Sequence, residues 1–450
     1  MNLARKLPLF MTIMSSFAMY SGCASTGTAT ENRNKVVFIS IDGLRPEFYL
    51  SDNYDSPTLH KLKAEGAFAE RVEPIFPSLT YPVHASLVTG VRPVKHGIIS
   101  NTVFSFKNGL TSDWYWHEGQ VKAPTLWRVA RASGLSTAII RWPASLGAPV
   151  DWQIPEIFQA PGYSFDRDWE LIRKNTKPEL FNEVLSNSVI KKITSMHDID
   201  IFSRDGAMLI LRKYKPDLTF IHFINLDYMQ HVSGRESKKT IESLKEVDGL
   251  ISEVLGAVDF RNTTVIITGD HGFVDFDMHV HLNMLFVKEG WLSVSAGAVK
   301  SWQVIAHAEG GQAAIYAKDH SLTNKIISVL KANAGSRYDV IERSELDKLG
   351  TYPDAICAVT AKPGIALGGA VSGQFEVPSQ TKGAVHGNLY DNDMIHTGFI
   401  AVGGQVRRGR NLGKISVLDI APTVARLLGF SLAGAERRPL DLSGSERELH

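Results

Sequence analysis

The stretch T-V-I-I-T-G-D-H-G (264–272) ends a run of β-branched, mostly apolar residues on Asp270 and His271, with glycine on either side. A buried strand normally ends in plain turn residues, whereas an anionic oxygen beside a neutral imidazole is suited to holding a metal. Residues of the same types recur along the chain. Asp42 closes V-V-F-I-S-I-D (36–42), Asp227 and His231 stand four apart in D-Y-M-Q-H, and His386 lies in G-A-V-H-G-N. The four-residue spacing puts Asp227 and His231 on one face if the chain turns helical after its strand. These six residues are enough for two metal ions with three protein ligands each, leaving positions open for a substrate. Two such ions about 3.5–4 Å apart clamp the attacking and leaving oxygens of an in-line displacement at phosphorus.

A displacement needs a nucleophile. In P-I-F-P-S-L-T-Y-P-V-H-A-S-L-V-T-G (74–90), Thr80 precedes a helical stretch with Pro82 in its first turn, which predicts an N-cap position. Its hydroxyl either caps that helix or sits on a metal, ionised by the ion and helped by the helix N-terminus. Trp142, Tyr163, Tyr81 and Phe104 have flat faces that would line a pocket for a nucleobase or another aromatic group, with core packing as the competing use. Among the 15 His, His84, His222 and His396 read as structural. His279 and His281, alternating in D-F-D-M-H-V-H-L-N, read as a polar strand edge.

Three segments must position these groups: 36–42, 218–227 and 264–270, each with the composition of a buried parallel strand and each ending in Asp. Helix-like stretches at 124–132 and 241–258 alternate with them, so the expected fold is α/β, a mostly parallel central sheet with helices on both faces. Two regions break the alternation: 102–200, with six of the eight Trp, and 286–384, rich in Gly and Ala. Both read as insertions near the mouth of the site, the second as a small lid subdomain.

Charge excludes some partners. Lys plus Arg number 48 against 47 Asp plus Glu, so no nucleic-acid-binding surface is expected. Residues 1–22, with Arg5 and Lys6 before an apolar run, have the pattern of a signal peptide; 23–35 read as a flexible tether. Y-S-G-C (20–23) resembles a bacterial lipoprotein cleavage site, which would lipidate Cys23, and Ala24 fits outer-membrane sorting. The expectation is an exported protein, periplasmic or an outer-membrane lipoprotein of a Gram-negative cell. With Cys23 lipidated, Cys357 has no partner for a disulfide.

Seven ordered motifs add a resemblance. V-F-I-S-I-D-G-L-R (37–45), F-P-S-L-T-Y-P-V-H-A-S-L-V-T-G (76–90), H-G-I-I-S-N (96–101), R-W-P-A-S (141–145), D-Y-M-Q-H (227–231), T-G-D-H-G (268–272) and V-H-G (385–387) resemble the nucleotide pyrophosphatase/phosphodiesterase family of the alkaline phosphatase superfamily. The likeness runs from about residue 36 to 440. It implies an alkaline-phosphatase-like catalytic domain with two zinc ions. One would be held by Asp227, His231 and His386, and the other by Asp42, Asp270 and His271, with Thr80 as nucleophile on the second. It also puts Asn101 at a phosphate-oxygen-binding position. A neutral amide there suits a diester, which carries one charge. The implied reaction is hydrolysis of a phosphodiester or nucleotide pyrophosphate bond through a phosphothreonine, with configuration at phosphorus retained. Small phosphodiesters, nucleotides or phospholipid-type molecules would be the substrates.

Departures from the family pattern fall away from the implied ligands. Val83 stands where Asn is frequent, Ala144 replaces a Gly, and H-G-N-L-Y-D (386–391) is longer than usual. They bear on specificity. A phosphomonoesterase or a phosphonoacetate hydrolase would use the same metal set, and a non-catalytic zinc-binding surface protein would not need Thr80 and Asn101. A sulfatase is disfavoured because Thr80 has no route to formylglycine.

Overall fold

The strand Lys35–Ile41, K-V-V-F-I-S-I, is buried at every position after Lys35, and it lies near the middle of an eight-stranded sheet. The computed structural model describes residues 33–107, 109–158 and 164–444. Contacts divide the chain after Arg33, and the unit that begins at Asn34 carries the sheet and its helices. The expected signal peptide, Cys23, Tyr163 and the tether up to residue 32 lie outside the described residues, and Lys35, expected to end the tether, already begins the strand.

Lys35–Ile41 runs parallel to Leu218–Phe223 on one side and to Thr263–Thr268 on the other. Thr137–Ile140 and then Trp152–Ile154 continue the parallel order beyond Leu218–Phe223. Beyond Thr263–Thr268 the strand Phe399–Gly403 enters antiparallel. Side-chain alternation sorts the core onto both faces. Val37, Ile39 and Ile41 pack with residues of the helices Met196–Lys213 and Lys238–Leu255. Val36 and Phe38 pack instead against Thr80–Thr89, Leu126–Ala132 and Ile420–Leu427. This is the expected α/β architecture.

Two expectations change. The segment 218–227 is not one strand: it ends at Phe223, and Asn225–Ser233 is helical, which puts Asp227 in a first helical turn. The physical cause is Asp200, whose carboxylate accepts from the backbone N–H groups of Ile224 at 2.8 Å and Asn225 at 3.0 Å and so ends the ladder. Nor is 102–200 an insertion as a whole. It contributes a hairpin, Thr102–Ser105 with Gly109–Trp114, but its strands Thr137–Ile140 and Trp152–Ile154 belong to the central sheet. Buried tryptophans such as Trp127 and Trp142 reflect that core position.

Within 286–384 a separate antiparallel sheet forms, in the order Val304–Glu309, Gln312–Ala317, Cys357–Ala361, Tyr338–Glu342, with a core of its own around Ile305, Ile315 and Tyr338. The strand Glu376–Val385 leaves this region and pairs antiparallel with Val274–Val280, delivering His386.

Candidate active site

The C-terminal ends of the central parallel strands converge, as open α/β sheets require of a ligand site. Asp42 follows Lys35–Ile41, and its N–H donates to the Phe223 carbonyl at 2.9 Å. Asp270 and His271 follow Thr263–Thr268. Between them the turn at Gly43 has φ +71°, and a Cβ there would lie 2.7 Å from Gln230 Nε2 and from Phe273. Only glycine fits, and its N–H donates to Asp270 Oδ1 at 3.1 Å.

Each of three histidines is set by a backbone carbonyl. Nδ1 donates to Ala384 O in His231 at 2.9 Å, to Ser78 O in His386 at 2.9 Å and to Gly272 O in His271 at 3.2 Å. That leaves Nε2 as the lone-pair nitrogen of every ring. Those atoms point at carboxylates. His231 Nε2 and His386 Nε2 lie 3.6 and 3.8 Å from Asp227 Oδ1, and 3.1 Å from each other. His271 Nε2 lies 3.0 Å from Asp270 Oδ2 and 3.3 Å from Asp42 Oδ1. Two groups have the spacing of a metal site: Asp227, His231, His386, and Asp42, Asp227, His271. Asp227 is thus shared between them, while Asp270 reaches the second group through His271.

A cation fits this set. Asp42 Oδ1, Asp227 Oδ1 and Asp270 Oδ2 are buried without a hydrogen-bond donor, and two acceptor nitrogens face each other across the first group. Buried acceptors in contact with nothing but other acceptors are costly. The titration behaviour says the same. Burial, then the charges of Asp227 and Asp270, push the Asp42 carboxyl well above its ordinary range. Burial, then His271 and His231, push His386 well below the usual imidazole value.

Thr80 is not the N-cap expected of it. Leu79 is, with φ −109° and ψ 150°, and Thr80 is the first residue of the helix Thr80–Thr89. Its side chain makes no capping bond, and Oγ1 lies 3.4 Å from His271 Nε2. The hydroxyl is therefore free for chemistry at the positive end of the helix. Asn101 Oδ1 accepts from the Tyr81 N–H at 2.9 Å, which turns its NH₂ group outward at the cavity that Asn101 lines.

That cavity, of about 260 Å³, brings Asp42, Thr80, Asn101, Asp227, His231 and His386 together with Tyr81 and Trp114. Of the expected pocket aromatics among the described residues, Tyr81 alone lines it. Trp142 is fully buried between Phe38, Phe220 and His84. Phe104 stacks on Tyr316 at 3.8 Å, fixing the 102–114 hairpin to the second sheet. His279 and His281 take no part in either metal group, and His84 is structural, bridging Ser40 Oγ and the Thr80 carbonyl at 2.8 Å each.

His222 is different from its sequence reading. Its Nε2 lies 3.3 Å from Asp42 Oδ2 and its Nδ1 3.0 Å from Glu156 Oε2, while Glu156 Oε1 accepts from the Tyr81 hydroxyl at 2.9 Å. A buried chain thus links a predicted ligand to the cavity wall. An imidazole inside the otherwise apolar run L-T-F-I-H-F was the available signal for His222. Glu156 carried none, since its partners are distant in sequence.

Residues 36–386 match the type I phosphodiesterase / nucleotide pyrophosphatase family. The chain belongs to that family. Ectonucleotide pyrophosphatase/phosphodiesterase family member 3 of Mus musculus is 26% identical over 250 residues, covering 53% of this chain and 24% of the relative. Bis(5'-adenosyl)-triphosphatase of Mus musculus is 28% identical over 282 residues, 59% of this chain and 51% of the relative. The match thus spans between about a quarter and about half of these relatives' lengths. Human ectonucleotide pyrophosphatase/phosphodiesterase 5 superposes with a TM-score of 0.64 at 18% identity, over 88% of this chain and 95% of that one. An inactive murine form of the same protein, in complex with AMP, gives 0.63 at 19% identity, over 89% and 96%. These structures share the fold of this family member.

Proposed function

We propose that the protein is a two-zinc phosphodiesterase or nucleotide pyrophosphatase working through a phosphothreonine. The observation that carries this reading is the meeting of Thr80 Oγ1, free of any cap, with a buried set of imidazole nitrogens and donor-less carboxylate oxygens. Asp227, His231 and His386 would hold one ion, and Asp42, Asp270 and His271 the other. Bound there, zinc supplies Lewis-acid stabilisation of phosphoryl oxygens and lowers the pKa of a hydroxyl or water.

The chain's own groups do the rest. Thr80 Oγ1 gives up its proton to solvent and forms a bond to phosphorus as the opposite P–O bond breaks, and the departing oxygen keeps that electron pair and takes a proton from solvent. Water then attacks the phosphothreonine, restoring the Thr80 hydroxyl and releasing a phosphomonoester. Asn101 steadies a phosphoryl oxygen with its neutral amide. Preference for a diester is supported by the neutral amide of Asn101 on the cavity wall, which suits a phosphoryl group carrying one charge. A monoester dianion would want a cation of its own.

The deciding experiment compares catalytic efficiency on an aryl phosphodiester and the matching aryl phosphomonoester, with zinc present and the Thr80→Ala protein as blank. A ratio well above one is expected. A monoester preference would make the protein a phosphatase, and no reaction with either would favour phosphonoacetate or a binding role. We also infer export, with residues 1–22 removed and Cys23 a lipid anchor; labelling of Cys23 by a palmitate analogue in a Gram-negative host tests this, and absence of label would rule out the anchor.

A further inference from the structure

A second cleft, of about 400 Å³, opens beside the catalytic cavity. The two share Asn101, Trp114, His231 and His386 as lining residues, but the second meets neither Asp42 nor Thr80. An in-line displacement begun by Thr80 sends its leaving group away from Thr80, toward the side marked by His231 and His386. Resting on the phosphodiesterase reading, we propose that the second cleft receives the departing substituent, that the first cavity keeps the substituent that stays on phosphorus, and that the departing group is an uncharged or cationic alcohol rather than a phosphorylated one.

The walls of the cleft carry the argument. Leu79 and Leu110 are apolar, Thr102 and Thr111 are polar but neutral, and among the described residues that line it there is no Lys or Arg. The full charge present is negative. Glu309 faces the cleft and is fixed there, accepting from the Asn101 N–H at 3.0 Å and from the Thr102 N–H at 2.9 Å. Burial acts to raise its carboxyl, but His307 and Thr102 outweigh that and keep it below the usual range, so it is ionised at neutral pH. Sites that take phosphate or pyrophosphate present Arg, Lys or backbone N–H groups to it. Here two such N–H groups are already spent on Glu309. A polyanion leaving through this cleft would meet a fixed carboxylate with no Lys or Arg to offset it, only the imidazole of His307, 3.5 Å from Glu309 Oε1.

Gly369 gives a clean test. It is exposed, it lines the cleft, and a Cβ placed on it meets no atom within 4 Å. Two substrates with the same retained phenylphosphoryl group are compared: p-nitrophenyl phenyl phosphate, whose departing substituent is uncharged in the bound substrate, and phenyl diphosphate, whose departing phosphoryl group is anionic there. Wild type is expected to favour the first. In Gly369→Lys the ratio of kcat/KM for phenyl diphosphate over the aryl diester should rise by about fivefold or more, an effect that shrinks in high salt. Gly369→Ser, which adds bulk without charge, should leave the ratio within about twofold, and inorganic phosphate should inhibit Gly369→Lys at lower concentration than wild type. A wild-type preference for phenyl diphosphate, or a ratio that Gly369→Lys does not move, would overturn the cleft assignment while leaving the phosphodiesterase reading intact. Failure of wild type to hydrolyse the aryl diester would overturn both.

Discussion

Thr80 and His222 show how far one side chain's role depends on one neighbour. Because Leu79 takes the N-cap geometry, the Thr80 hydroxyl contributes no cap, and Thr80→Ala should cost little stability. Turnover of an aryl diester should nevertheless fall by about 10³-fold or more, with zinc content unchanged by metal analysis. Full activity in that variant would sink the nucleophile assignment. His222 lies between two buried carboxylates, Asp42 and Glu156, so His222→Leu removes the imidazole partner of a buried Glu156 and leaves it the Tyr81 hydroxyl. We expect a loss of about 3 kcal/mol in urea unfolding, and recovery of part of it in His222→Leu/Glu156→Leu, because a broken buried pair costs more than an absent one. Additive losses in the double variant would show that the two residues act independently.

Elements decide where the ligands stand, and Asp200 decides where one element ends. Its carboxylate stops the strand Leu218–Phe223 and starts the helix that carries Asp227 and His231. Burial raises the Asp200 carboxyl from 3.8 to about 6. A group whose folded value lies above its unfolded one binds more protons when folded, so its stabilising contribution is complete below about pH 4 and disappears as pH rises through about 6. Asp200→Asn lacks this slope. The stability of wild type relative to Asp200→Asn should therefore fall between pH 4 and 6, read from urea unfolding curves; a flat difference would contradict the assignment. The loop that carries Asn101 depends in the same way on Glu309, which reaches it from the strand Val304–Glu309. Glu309→Ala should lower kcat/KM for an aryl diester by about tenfold or more while zinc stays bound, since a displacement of about 1 Å at Asn101 is enough.

At the scale of the molecule, the site is where the sheet's ends concentrate buried charge. Exhaustive chelation should abolish turnover and lower the melting temperature by about 5 °C or more, with both restored by zinc, because Asp42, Asp227 and Asp270 would otherwise face one another unpaired. A melting temperature unmoved by chelator would argue against resident ions. Cys357 lies in the second core, fully buried, with its thiol pushed up to about 12. It should resist a thiol reagent at pH 8 in the folded protein and react on unfolding in urea. Among the described residues no helix is long and apolar enough to cross a membrane.

The sequence alone determined the sheet and the ligand types. Unbroken β-branched runs ending in Asp read as buried parallel strands, and the motifs put Asp42, Asp270 and His271 at the ends of two of them. It also determined that a helix begins close to Thr80, but it put the N-cap at Thr80 rather than Leu79, since that is a matter of φ and ψ. Only the tertiary structure decided that Asp227 lies between both metal groups, that Trp142 is core, and that His222, Glu156 and Glu309 belong to the site. The reason is physical: these roles rest on contacts between residues tens to hundreds of positions apart, such as Glu309 with Asn101 or His386 with Ser78. Local periodicity reports which face of an element is apolar. It does not report what another element brings to that face.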